Sequence, residues 1–275
     1  MHPTAPRLKR AYADSPTGQI HYYDAGGSGR PLLLLHQSPT SAIDFADTFP
    51  AFGAAGFRVI APDMPGLGMS DAPDAPPVIA DFISAALAAL DHAGVGEADI
   101  VGHHTGAQVA VGLAERAPGR VGKLVLYGVP IMSPEALRAF WEMVVPAEKE
   151  DGVFRPRPGG AHLSDLFKRL EPLFGPGVAN RMVISRLLAG PTLWYAHNAA
   201  LGHDMTPAFL RVKHPMMLMT YPGEMLDANT HAAAALRPDA ALTILPIDKG
   251  PAMDVDPEGF VAAVAAFLSP GGSGT

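Results

Sequence analysis

Residues Pro31-Leu32-Leu33-Leu34-Leu35 form a short, unbroken apolar run. Without polar alternation, a run of this length fits a strand buried on both faces of a parallel sheet. Such a strand needs helices above and below it, and the chain supplies them in alternation. Residues 19–24 predict an early strand, closed by the turn Gly26-Gly27-Ser28-Gly29. A helix is expected over 42–53, a strand over 58–61, a helix over 78–93 and a strand over 98–101. Another helix over 106–116 and a strand over 121–127 follow. This order implies an α/β fold with a mostly parallel central sheet covered by helices on both faces.

The pattern then changes. Residues 133–209 read as helical, with breaks at 152–160 and near Gly175-Pro176-Gly177. The sheet resumes over 215–220 and 241–245, and a last amphipathic helix covers 257–268, before a polar, glycine-rich tail. The expected organisation is one core domain, 1–131 and 208–275, interrupted by a helical insertion, 132–207.

Charge and composition restrict the partners. The net charge is −7, and the densest basic group, Arg7, Lys9 and Arg10, is too small for a nucleic-acid surface. The first twelve residues lack the apolar core of a secretory signal, and no apolar run is long enough to span a bilayer. A cytoplasmic location without a membrane partner is expected, and a homo-oligomer is left open. The absence of cysteine excludes disulfides, thiolate nucleophiles and cysteine metal sites.

Gly102-His103-His104-Thr105-Gly106 lies where a strand meets a helix. Two glycines around a central residue mark a sharp strand-to-helix turn, which strains that residue and projects its side chain above the sheet. The first free N–H groups of the helix then favour negative charge nearby. This glycine spacing matches neither the dinucleotide nor the P-loop pattern, so no cofactor is expected.

Four segments together resemble the α/β-hydrolase fold family, especially its cap-bearing branch of haloalkane dehalogenases, epoxide hydrolases and carbon–carbon bond hydrolases. They are Leu32 to Pro39 with its His36-Gln37-Ser38-Pro39 loop, and Asp63-Met64-Pro65-Gly66-Leu67-Gly68-Met69-Ser70-Asp71. The elbow and the closing Pro257-Glu258-Gly259-Phe260 segment complete the set. The resemblance implies that 132–207 is a cap over the pocket. It also implies an oxyanion hole from the N–H of Thr105 and a donor at Ser38, a loop ordered by His36, and His103 packed beneath the elbow.

The centre departs from that family. His104 stands where the nucleophilic serine or aspartate belongs, and Gly250-Pro251 replaces the usual Gly-His pair. The acid has two alignments. An ungapped count from Pro215 puts Glu224 in place and is preferred, whereas matching Gly223 puts Leu226 there with Asp227 beside it.

His104, with Glu224 as orienter, is therefore the expected catalytic pair, with the neutral imidazole acting as general base. Gln37 is a substrate contact, and Trp194, Tyr195, His197 and His203 are the cap residues expected at the pocket. A cap histidine oriented by a carboxylate such as Asp204 would replace the missing base. His36, His103 and His104 suit zinc by type, but no ligand spacing accompanies them, so no metal is expected. The leading function is a non-serine hydrolase or lyase acting on a small, largely apolar carbonyl compound. A catalytically inactive ligand-binding protein is the alternative, and a cofactor-free oxygenase the third.

Overall fold

The computed structural model describes residues 8–150 and 161–269. Arg7, the break read at 152–160 and the tail beyond Ser269 lie outside the described residues. β1 (Lys9–Ser15) and β2 (Gly18–Asp24) form an antiparallel hairpin. β3 (Arg30–Leu35), β4 (Phe57–Pro62), β5 (Ala98–His103), β6 (Val121–Tyr127), β7 (Met216–Thr220) and β8 (Ala241–Ile244) complete one sheet. Its order is β1-β2-β4-β3-β5-β6-β7-β8. β2 meets β4 antiparallel, and every pairing from β4 across to β8 is parallel.

The leucine run sits at the centre as β3. Leu33 and Leu35 enter one hydrophobic cluster, and Leu32 and Leu34 enter the other, so both faces of the strand are dry. The segment 42–53 differs from its expectation as one helix. A tight 3₁₀ stretch, Ala42–Thr48, gives way to α1 (Phe49–Ala54), with Pro50 in the first turn, where a missing N–H costs no intrahelical bond. α2 (Ile79–His92) and α3 (Thr105–Arg116) cover the Leu33 face.

Between β6 and β7 the chain forms α4 (Pro134–Glu150), α5 (Ala161–Ala189), α6 (Trp194–Leu201) and α7 (Thr206–Arg211). Gly175, at φ 80°, turns the chain inside α5. Leu166, Leu170 and Ala179 give this region a small cluster of its own. α8 (Asp227–Leu236) links β7 to β8, and α9 (Ala252–Val255) and α10 (Pro257–Leu268) close the fold. With α1, α10 covers the Leu34 face. Sequence patterning missed β1, whose Lys9 and Arg10 are exposed as befits an edge strand, and the short α8 and α9. No helix among the described residues is long and apolar enough to cross a membrane.

Leu33 is fully buried in the central strand. Leu33→Ala is expected to cost about 2–5 kcal/mol, read as a lower denaturation midpoint. Asp44, in the 3₁₀ stretch, is also buried, and burial pushes its carboxyl up to about 6 against the hydrogen bond from Thr40 Oγ1. A carboxyl raised by folding binds its proton more tightly folded than unfolded. Stability should therefore fall by up to about 3 kcal/mol as pH rises from about 4 to 6. Asp44→Asn should flatten that slope in denaturation curves taken across this window.

Candidate active site

β5 runs directly into His104, which begins the turn into α3 at φ 48° and ψ −107°. It is the only non-glycine with positive φ among the described residues. The glycines on either side make the turn sterically feasible. A Cβ on Gly102 would lie 2.6 Å from the Gly106 carbonyl carbon, and one on Gly106 would collide with the Leu35 carbonyl. The His104 N–H donates to Tyr127 O at 3.0 Å, while its own carbonyl accepts from Ala107 and Gln108. As first residue of α3, Thr105 has an N–H with no intrahelical acceptor, and the residue lines the cavity beside His104.

The imidazole of His104 meets Glu224, its Nε2 lying 2.6 Å from Oε1. Glu224 follows β7 in a turn closed by Glu224 N–H to Tyr221 O, and its Oε2 accepts from Leu226 N–H at 2.6 Å. Of the two alignments for the acid, then, Glu224 is the residue that reaches His104. Asp227 turns away and accepts from Thr220 Oγ1 at 2.8 Å. A carboxylate only accepts, so the shared proton belongs to Nε2, and the lone pair falls on Nδ1. Nδ1 has no hydrogen-bond partner among the described residues.

Gly128, at φ 62°, leaves room for this pair. A Cβ there would stand 2.5 Å from His104 Nε2 and 3.2 Å from Glu224 Oε2. Burial, and then Glu224 itself, push the Tyr221 phenol up to about 12. Burial also raises Tyr127, so both neighbours of the carboxylate stay neutral.

Above the elbow lies a cavity of about 730 Å³. Gln37, Ser38, His103, His104, Thr105 and Glu224 form its polar floor, and Met132, Leu137, Phe140, Met143, Phe174 and Met182 contribute apolar wall. Gly250 and Pro251 also line it where the resemblance expects a histidine, with Asp248 and Lys249 beside them. Ser38 Oγ and His103 Nδ1 are buried without hydrogen-bond partners among the described residues. Burial, followed by the fields of His104 and His36, holds the His103 pKa well below the usual imidazole range. His103 stacks on Tyr127 with ring centroids 4.6 Å apart.

Several expected contacts lie elsewhere. His36 is fully buried off the cavity: its Nδ1 donates to Gln37 O, and its Nε2 accepts from Met64 N–H. It ties the loop carrying Gln37 to the one carrying Met64. Trp194 and Tyr195 pack edge to face, and Lys149 Nζ sits 3.9 Å from the Trp194 ring centre, so neither aromatic reaches the cavity. His203 is also off the cavity, and Asp204 Oδ1 accepts from Thr206 N–H instead of orienting a histidine. The histidine that does line the cavity from above is His197. Its Nδ1 lies 2.9 and 3.0 Å from the two carboxylate oxygens of Glu148, a residue sequence reasoning did not single out. The two are 49 residues apart on different helices, and no local pattern pairs them.

His103, His104 and Glu224 each present a ligand atom within 4.8 Å of the others. Two nitrogens and an oxygen suit zinc by type, but ligand atoms about 2.0–2.1 Å from a tetrahedral ion stand about 3.3 Å apart. The 2.6 Å separation of His104 Nε2 and Glu224 Oε1 is that of a hydrogen bond. The pair as folded is arranged around a proton.

Residues 30–151 match the family described as alpha/beta hydrolase fold. The chain is 41% identical over 114 residues to a 2-hydroxy-6-oxononadienedioate/2-hydroxy-6-oxononatrienedioate hydrolase of Burkholderia vietnamiensis, a stretch covering 40% of each chain. It is 31% identical over 182 residues to a haloalkane dehalogenase of Mesorhizobium japonicum, covering 66% of this chain and 52% of the relative. The chain thus spans about half or less of the length of these curated relatives. Over nearly the whole molecule, the fold resembles the enol-lactonase of Burkholderia xenovorans, with a TM-score of 0.77 and 22% identity. That comparison covers 94% of this chain and 100% of the other. Strand order, elbow and the match over 30–151 agree: the chain has the α/β-hydrolase fold.

Proposed function

We propose that this chain is an enzyme that cleaves or rearranges a small, largely apolar carbonyl compound, with His104 as general base. The observation that carries the reading is the His104–Glu224 hydrogen bond beneath a mostly apolar cavity. In a serine enzyme of this fold, the acid orients a histidine that in turn activates the elbow serine. Here the histidine stands on the elbow itself, and a glutamate reaches it without an intermediary. The family's catalytic groups are thereby reduced to a base and its orienter.

In hydrolysis, Nδ1 takes a proton from water as the water oxygen attacks the carbonyl carbon. The carbonyl electron pair moves to oxygen, facing the Thr105 N–H. Collapse restores the carbonyl, and the imidazolium returns the proton to the departing group. In a lyase reaction, the same nitrogen takes a carbon-bound proton. Glu224 holds the ring in the Nε2–H form throughout and offsets the charge it gains. A non-catalytic binder is the competing reading, supported by the loss of the elbow serine and the base histidine.

Turnover is read on a panel of esters, enolisable ketones and the 2-hydroxy-6-oxononadienedioate named for the Burkholderia relative. His104→Ala should lower kcat by about 10²–10⁴-fold, with Glu224→Gln falling between it and the wild type. A protein that binds panel members tightly but turns none over would support the binder instead. A fluorophosphonate should leave the chain unlabelled, and labelling of Ser38 or Ser41 would contradict the non-serine mechanism. Gly128→Ala should mimic His104→Ala in activity and destabilise the fold by about 1–2 kcal/mol. Gly119→Ala, where an added Cβ meets nothing within 4 Å, is the neutral control.

A further inference from the structure

Glu148 and His197 line the same cavity as His104 and Glu224, from the opposite side. The two pairs share one design: a carboxylate holds one imidazole nitrogen, leaving the other without a partner among the described residues. Glu148 is nearly buried, its side chain 9% exposed against 22% for His197. Arg186 Nη1 stands 3.6 Å from Glu148 Oε1, the oxygen that also meets His197 Nδ1.

The upper pair is held firmly. Trp141 Nε1–H donates to Asn198 Oδ1 at 3.1 Å, joining α4 to α6 beside His197. Lys149, next to Glu148, rests on Trp194, one turn before His197. Gln108 Nε2–H, from the elbow helix α3, donates to Ala200 O at 3.1 Å and so sets α6 relative to the floor. An ion pair serving only to join two helices needs neither an imidazole with a free nitrogen nor a place on the cavity wall.

We propose that His197, positioned by Glu148, is a second catalytic acid–base group, working on the far end of the substrate from His104. The inference rests on the reading of His104 as a base in carbonyl chemistry. It narrows the substrate to carbonyl compounds with a second proton-accepting atom a few bonds from the carbonyl, either a leaving oxygen or the γ-carbon of a β,γ double bond. In the second case, His104 Nδ1 removes the α-proton. The C–H pair becomes a carbon–carbon double bond, and the carbonyl pair moves to an oxygen beside Thr105 N–H. His197, carrying protons on both nitrogens with Glu148 at Nδ1, gives its Nε2 proton to the γ-carbon. The γ-carbon takes that proton with the pair of the substrate's β,γ double bond, the enolate carbon pair becomes an α,β double bond, and the oxygen pair reforms the carbonyl. One proton is lost at each turn by the roof and gained by the floor, and exchange with water restores both.

The probe is cyclohex-3-enone in heavy water, with α-deuteration and conversion to the conjugated enone followed together. The wild type is expected to do both, and His104→Ala to lose both. In His197→Gln and Glu148→Gln, the ratio of isomerisation to α-exchange should fall by about tenfold or more. His197→Asn serves if the glutamine variant does not fold, as judged by circular dichroism. A wild-type ratio in these variants overturns the role of His197, as does α-exchange without isomerisation in the wild type, and both leave His104 as base. No α-exchange by the wild type overturns the His104 reading and this one with it.

Discussion

The hydrogen bond from His104 Nε2 to Glu224 spans 120 residues of chain, and much of the fold exists in a form that permits it. His104 can project into the cavity only because it adopts a left-handed backbone conformation, unfavourable for a residue with a Cβ. Two neighbouring glycines let strand, helix and the end of β3 crowd around it. Glu224 arrives from the end of β7, two strands away, because β5, β6 and β7 run parallel and finish at the same edge. Gly128, leaving β6 between them, has no side chain to fill the gap. A ligand crevice at the carboxyl ends of parallel strands is the general outcome of such sheets.

Around that bond, two further contacts fix the floor. Leu226 N–H occupies the second oxygen of Glu224, and His36 braces the loop carrying Gln37 and Ser38. Methionines, leucines and phenylalanines such as Met132, Leu137, Phe140 and Phe174 line the cavity as well, and they exclude water and strengthen the electrostatics of the polar atoms among them. The helices above are tied to the core by charge as well as packing. Arg181 of α5 pairs with Asp47 at 3.1 Å and with Asp254. Arg186 of the same helix stands 3.6 Å from Glu148 Oε1, so α5 reaches the upper pair as well.

Much of the fold was legible because its signals are local. The leucine run, the alternation after it and the glycines at 102 and 106 each follow from what a few adjacent residues can do. β1 was missed because this edge strand begins with exposed Lys9 and Arg10, and resembles a polar tail in composition. Of the site, His104 was legible from the elbow, and Glu224 from counting along β7, though only coordinates separate it from Asp227. The upper residues were not legible. Trp194 and Tyr195 have the composition of a pocket lining, but side-chain direction on α6 turns them to Lys149 and each other, whereas His197 faces inward. Glu148 looked like one of several surface charges on α4, since its partner lies across a helix–helix contact that sequence spacing does not encode.

The central claim is that Glu224 fixes His104 as the Nε2–H tautomer, with its lone pair on Nδ1 toward the cavity. Nitrogen-15 correlation spectra of the imidazoles measure this directly. The account expects His104 in the Nε2–H form at neutral pH, with a downfield-shifted proton that Glu224→Gln removes. A His104 protonated on Nδ1 alone, or a spectrum unchanged by Glu224→Gln, would contradict it.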